Sequence, residues 1–319
     1  MAAKALKTFE SKFWIPFAKE YWEKKPFVLR NSSHPIFSLD DADIFKFLLL
    51  YSEHCRQTKS AEGLKLYIDG QRADESELWH ALPVKKDASL LGYHRRMEKT
   101  YEDYCLVCDE LSQGAKDKWA VLESFLKPLY ESVGVPNRYA EMGLYLGNYR
   151  KTPFGVHVDG CGVFSFPVVG TKKFRLWDPK FVEKNLDLQE SFSYDDYKKH
   201  STLLEVGPKE MAYWPSTAWH IAESDGSFSA TWSIGIWLDK TLSEEILEAL
   251  TPLITQKIKT YSKLHSVFPS KKKLPEPFFA SIKLIKKISQ VEIERAFQKK
   301  WRQKMSKLGF KSGPIDKAN

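Results

Sequence analysis

The sequence is short of cysteine, has no long apolar run and carries no excess of glycine or proline. Four cysteines in 319 residues, Cys55, Cys105, Cys108 and Cys161, are too few for the disulfide framework of a small secreted domain. Cys105-Leu-Val-Cys108 is a C-x-x-C without a second pair or a nearby histidine, whereas a structural zinc site normally has four ligands. Buried or half-exposed free thiols are therefore expected. The longest apolar run, Phe47-Leu-Leu-Leu-Tyr51, is far too short to span a bilayer. The N-terminal stretch offers no apolar segment of signal-peptide length and no small-residue cleavage site. A cytoplasmic location is expected, with the nucleus as the alternative, and no membrane association.

What is present is enough apolar material for a sizeable core. Hydrophobic residues make up 43% of the chain, aromatics 14% and charged residues 28%, which suits one large core or a core with a helical appendage. The net charge of +8 is unevenly spread. From Thr241 onward there are 17 Lys+Arg against 7 Asp+Glu, an excess of +10, while the rest of the chain sums to −2. The basic character belongs to the C-terminal segment.

Three textures follow one another. Up to residue 138 the pattern is mostly helical and aromatic. Phe9, Phe13 and Phe17 recur at i, i+4 and i+8 on one helix face. Pro26 turns the chain extended before Phe27-Val-Leu29. Ser38-Leu-Asp-Asp41 caps a helix carrying Ile44, Phe45, Leu48 and Leu49. Leu64–Ile68 alternates as a strand, and Trp119 to about Val133 is a helix ended by Gly134 and Pro136. Residues 139–240 break into short runs separated by Gly, Pro, Asp and Ser: Met142–Leu146, Gly162–Val169, Lys172–Trp177, Glu210–Trp214 and Ser229–Leu238. Such a series predicts a β-sandwich or barrel. From 241 to 319 the pattern is helical again. Leu247, Leu250, Leu253 and Ile254 form one apolar stripe, and Ile285, Ile288, Val291 and Ile293 begin another that reaches Phe297 and Trp301. Pro269 and Pro275–Pro277 interrupt it.

The β-rich segment holds His157-Val-Asp159. On a strand, residues i and i+2 share a face, so both side chains reach one point. His220 follows 61 residues after Asp159, just past the run ending at Trp214. Two histidines and one carboxylate form the facial set of non-haem Fe(II) oxygenases, which leaves coordination positions open. A histidine beside an aspartate on a surface turn is the plain alternative for H-x-D alone. No other histidine in the chain has Asp at +2, and this one lies between predicted strands. In the run Thr171–Trp177, Lys172, Phe174 and Leu176 fall on one side. Lys172 is then a buried cation, costly unless an anion meets it; a register shifted by one residue would return it to solvent.

The stretches Leu146-Gly-Asn-Tyr-Arg-Lys-Thr-Pro-Phe-Gly-Val-His157-Val-Asp159, Val168-Val-Gly-Thr-Lys172-Lys-Phe-Arg-Leu-Trp-Asp-Pro179 and Val206–His220 resemble the JmjC/cupin family of 2-oxoglutarate oxygenases. Tyr21–Arg30 is similar to the N-terminal segment of its ribosomal-oxygenase and asparaginyl-hydroxylase subgroups. The resemblance implies a double-stranded β-helix, a mainly β fold of the cupin or jelly-roll kind, with helical segments at both ends. It implies Fe(II) on His157, Asp159 and His220, with 2-oxoglutarate and O2 as co-substrates. It also implies Lys172, fifteen residues after the first metal histidine, on the far carboxylate of 2-oxoglutarate. The chain departs from the family where asparaginyl hydroxylases carry threonine, having Phe154, and where Asn or Gln is common, having Val163. Secondary contacts to 2-oxoglutarate then fall to other residues, and Tyr145 and Ser229 are the candidates. Trp177, Trp214 and Trp219 are candidates for the substrate pocket, although most aromatics in a cupin are core.

The resemblance further implies hydroxylation of an unactivated C–H, most commonly on a protein or peptide side chain. Two other classes stand beside it. One is a cupin using zinc or manganese for isomerisation or hydrolysis. The other is a catalytically silent cupin that binds RNA or an acidic partner through its basic tail, residues 241–319, where Lys271-Lys-Lys273, Lys286-Lys287 and Lys299-Lys-Trp-Arg302 concentrate the charge. The plainer reading of that tail is the solvated face of helices that pack on the barrel or form a homodimer.

Overall fold

The computed structural model describes residues 5–6, 12–30, 32–259 and 276–315. Phe9, Lys271–Lys273, Pro269 and Pro275, used in the sequence reading, lie outside them. The described strands are β1 Ala5–Leu6, β2 Phe27–Leu29, β3 Leu64–Ile68, β4 Gln71–Arg72, β5 Tyr104–Cys108, β6 Ala140–Gly147, β7 Cys161–Val169, β8 Lys172–Trp177, β9 Thr202–Val206, β10 Met211–Trp214, β11 Trp219–Glu223 and β12 Ser229–Trp237. The helices are α1 Trp14–Glu20, α2 Asp41–Thr58, α3 Glu75–Ala81, α4 Leu90–Met97, α5 Trp119–Val133, α6 Pro179–Val182, α7 Leu242–Lys257, α8 Glu276–Ile285 and α9 Gln290–Ser306. None of the described helices is long and apolar enough to cross a membrane.

Two compact units divide the chain: Met1–Asp239 with Lys307–Asn319, and Lys240–Ser306. In the first, a nine-stranded sheet runs in the order β1-β2-β10-β7-β12-β6-β5-β3-β4, and a three-stranded sheet in the order β11-β8-β9. Apart from the parallel β1–β2 pair, the ladders are antiparallel. The two sheets face each other as a double-stranded β-helix. Val163 and Trp214 from the large sheet and Phe174, Leu176, Leu204 and Ala222 from the small one share a single buried cluster.

Pleat parity assigns the two faces of the large sheet. Outward from the barrel point Phe164 and Phe166 of β7, Trp232 of β12 and Tyr213 of β10. Phe164 meets Trp14, Phe17 and Phe125 at ring-centroid distances of 5.3–6.0 Å, while Phe166 stacks on Trp232 at 4.2 Å. The aromatic N-terminal helices are thus the outer layer over this sheet. Full burial of each such ring stabilises by roughly 1.5–3 kcal/mol. The inward residues, Tyr145, Val163, Ser165, Thr231, Ser233 and Gly235 among them, line a cavity. Helix α2 begins as the capping pattern predicts, with the Asp40 side chain accepting from Asp43 N. Helix α5 and strands β3 and β8 have the bounds read from sequence.

The cysteines are the free thiols expected from the sequence, while two other features differ from that reading. The C-x-x-C lies in β5, buried on both faces, so it shows no alternation; all four cysteines are free and buried. His157-Val-Asp159 is not a continuous strand but a single antiparallel bridge from His157 to His220. The C-terminal segment is not one appendage. Lys307 onward belongs to the barrel unit, where Phe310 bridges Ala140 and Leu308 and Phe310 are buried. The helical unit by itself pairs α7 with α9 through Lys257–Glu292 and Lys300–Glu248 ion pairs at 2.7 and 2.9 Å.

Candidate metal centre

His157 and His220 are held by reciprocal backbone hydrogen bonds: His157 N donates to His220 O at 3.0 Å, and His220 N to His157 O at 2.7 Å. Their rings lie 4.3 Å apart. Each Nδ1 sits 3.0 Å from a main-chain carbonyl two residues upstream, Gly155 O for His157 and Ala218 O for His220. A carbonyl can only accept, so each Nδ1 carries the proton and each Nε2 presents its lone pair. Both Nε2 atoms turn toward Asp159 Oδ2, at 3.8 and 3.6 Å. The three ligand atoms lie within 4.8 Å of one another, and no other such group of His, Cys, Asp or Glu occurs among the described residues. Burial and the neighbouring His157 push the His220 imidazole well below its ordinary value, so it stays neutral and free to ligate. Phe154 and Trp214 flank the pair at 5.6 Å from His157 and 5.1 Å from His220.

The ligands open onto a cavity of about 490 Å³. Its deep end contains Lys172, only 1% exposed, with Nζ donating to Tyr149 Oη at 2.8 Å and lying 3.9 Å from the Tyr149 ring centroid. No carboxylate pairs with this ammonium among the described residues. Its pKa falls to about 7 because burial penalises the charged form. On the walls of the same cavity, Ser165 Oγ, Thr231 Oγ1 and Trp214 Nε1 are buried without a hydrogen-bond partner. Buried polar atoms are normally satisfied. Unsatisfied donors in one cavity with a lone buried ammonium suit an anion with several acceptor oxygens.

The remaining residues singled out from the sequence divide by strand parity. Tyr145 and Trp214 line the cavity. Trp177 and Trp219 do not. They pair with each other across β8 and β11 while Leu176 pairs with His220, so they stand on the opposite face of the small sheet. There they pack with Val156, Ile221 and Tyr194, and Trp177 Nε1 donates to Tyr197 O at 3.0 Å. Ser229 is buried at the closed end of β12 against Gly170, outside the cavity wall. Thr231, one pleat further along, lines it instead. The sequence reading missed Tyr149, whose loop gives no periodic signal, and Glu141, whose partners come from distant segments.

Residues 127–243 match the profile of the JmjC domain family. No curated protein matches the chain in sequence. Solved structures similar to this one include an X-ray structure of YcfD from Escherichia coli, 15% identical, with 89% of this chain and 70% of that chain covered and a TM-score of 0.45. A structure of YcfD, a ribosomal oxygenase from Escherichia coli, in complex with cobalt and 2-oxoglutarate is 17% identical, with 88% and 68% covered and a TM-score of 0.46. The match over 127–243 takes in the segment that carries His157, Asp159, Lys172 and His220.

Proposed function

We propose that the protein is an Fe(II)- and 2-oxoglutarate-dependent oxygenase that hydroxylates an unactivated C–H, on a protein or peptide side chain. The observation that carries this reading is a two-histidine, one-carboxylate set opening onto the same cavity as a buried lysine that has no carboxylate of its own.

Bound there, Fe(II) with 2-oxoglutarate would supply the oxidising power for C–H hydroxylation, with succinate and carbon dioxide as co-products. The residues do the rest. His157, Asp159 and His220 would occupy one face of the ion and leave the opposite face to co-substrate and O2. Lys172, with Tyr149 beside it, would meet the far carboxylate of 2-oxoglutarate. Thr231, Ser165 and Trp214 would present their unused donors to the same molecule. The aromatic walls at Phe154, Tyr145 and Trp214 would keep water from the reacting carbon.

Succinate release on incubation with Fe(II), 2-oxoglutarate and O2 tests this reading. Turnover should be lost in both His157→Ala and Asp159→Ala. Full 2-oxoglutarate turnover in either variant would sink it. A mass-spectrometric search of peptide pools for a +16 product would then identify the side chain.

A further inference from the structure

The metal ligands and Lys172 account for only part of the cavity. Four residues from Tyr145 to Glu141 along β6 span about 13 Å, and the wall continues over that distance to Glu141, Tyr139, Trp237 and Lys311. We propose that Glu141, Trp237 and Lys311 form a hydrogen-bond-donating subsite at this end of the cavity, built to take a carboxylate of the substrate. The proposal rests on the oxygenase reading for the word substrate, but its geometry is independent of the metal.

Glu141 and Trp237 flank one glycine-cleared space. Glu141 pairs directly with Gly235 across the β6–β12 ladder. A Cβ on Gly235 would lie 3.6 Å from Trp237 Nε1 and 3.2 Å from Cys161 Sγ. The missing side chain therefore leaves room between the carboxyl group and the indole N–H. That N–H is buried and has no hydrogen-bond partner. Glu141 makes no hydrogen bond or ion pair among the described residues.

Lys311 reaches the same end from the C-terminal strap. Its Nζ lies 4.2 Å from the Tyr139 ring centroid and 3.9 Å from Glu110 Oε1. The strap sits where it does because β5 stops pairing with β6 at Cys108–Leu144, and Phe310 takes the β6 edge at Ala140.

The protonation of Glu141 decides what this subsite recognises. Lys65 from β3, Asp109 and Glu110 from the turn after β5, and Lys311 from the strap surround it, with Tyr145 and Cys161 on the adjoining wall. Burial, followed by Asp109, pushes its carboxyl up to about 8, while Lys311 and Lys65 oppose the rise. Lys65 is committed to Asp109 at 2.6 Å. At neutral pH Glu141 is accordingly a carboxylic acid that can donate. An acid O–H, an unused indole N–H and the Lys311 ammonium put three donors at this end of the cavity, beside Asp109, which Lys65 engages, and Glu110, which faces Lys311. A ligand carboxylate satisfies all three.

The test uses the full chain with Mn(II) and 2-oxoglutarate, so that the deep end is filled. The probes are the N-acetyl methylamides of aspartate, glutamate, asparagine, glutamine and lysine, titrated by tryptophan fluorescence and ligand-observed NMR from pH 6.5 to 9.5. The two acidic probes are expected to bind roughly tenfold more tightly than their amides. Their affinity should fall above about pH 8 as Glu141 ionises and repels them. Glu141→Gln keeps a donor that never ionises, so it should retain binding and abolish the alkaline decline. Trp237→Phe should weaken the acidic probes and leave the lysine probe unaffected. Preference for the lysine probe with affinity rising above pH 8, or no preference among probes, overturns the proposal. The oxygenase reading fails separately, if 2-oxoglutarate itself does not bind; the acid-against-amide comparison is then made on metal-free protein.

Discussion

Lys172 shows how a single residue couples stability to ligand binding. Its ammonium is buried without an anion, and its pKa drops from 10.5 to about 7. Between those values the unfolded chain binds a proton that the folded chain does not. Folding stability contributed by this residue therefore rises with pH through that window, by about 1.4 kcal/mol per unit at most. Below pH 7 the penalty is constant, and above 10.5 it vanishes. Replacing Lys172 with Met removes the penalty. Lys172→Met should melt at a higher temperature than the parent at pH 7, and the gap should close as pH approaches 10. The same variant should lose 2-oxoglutarate binding by calorimetry. A variant less stable at neutral pH that still binds 2-oxoglutarate would contradict the anion-site assignment.

At the scale of elements, strand parity was the most informative signal in the sequence and was also where its reading fell short. Parity put Lys172, Phe174 and Leu176 on one face of β8, as observed. Applied to the same strand, it would also have placed Trp177, five residues from Lys172, on the opposite face. Trp219, adjacent to His220, follows the same rule once β11 is recognised. That strand was hidden because its burial does not alternate. Glu141 and Tyr149 acquire their surroundings only when β3, β5 and the C-terminal strap assemble around β6, and no local pattern encodes that. The strap gives a direct prediction. Leu308 is 2% exposed, and the Tyr130 hydroxyl donates to its carbonyl at 2.9 Å. Leu308→Ala should cost about 2–5 kcal/mol of stability, since a buried leucine is replaced by a cavity. Chemical denaturation would show it. A change below about 0.5 kcal/mol, the size of an ordinary surface substitution, would mean that the strap is not part of the barrel core.

For the whole molecule, the two units rest on different physics. The barrel unit has dozens of buried apolar side chains, whereas Ala249 is the single buried hydrophobic residue described in Lys240–Ser306. The helices there expose Leu242, Leu247, Val291 and Trp301 and depend on ion pairs. Pairs that stay open to solvent, as those of Glu248 do, contribute little each and are screened by salt. Hydrogen bonds from Lys240 and Lys300 hold Glu248 down at about 2, while burial opposes them. The unfolded chain keeps its carboxyls near 4.5. The stabilisation from this pairing is present above that value and is lost as pH falls toward 2. Amide exchange should therefore be faster throughout α7 and α9 than in β6, β7 and β12. Lowering pH from 5 to 3 or raising salt should widen the difference. Equal protection in both units under acid and high salt would show that these helices are held by something other than the charges on their surface.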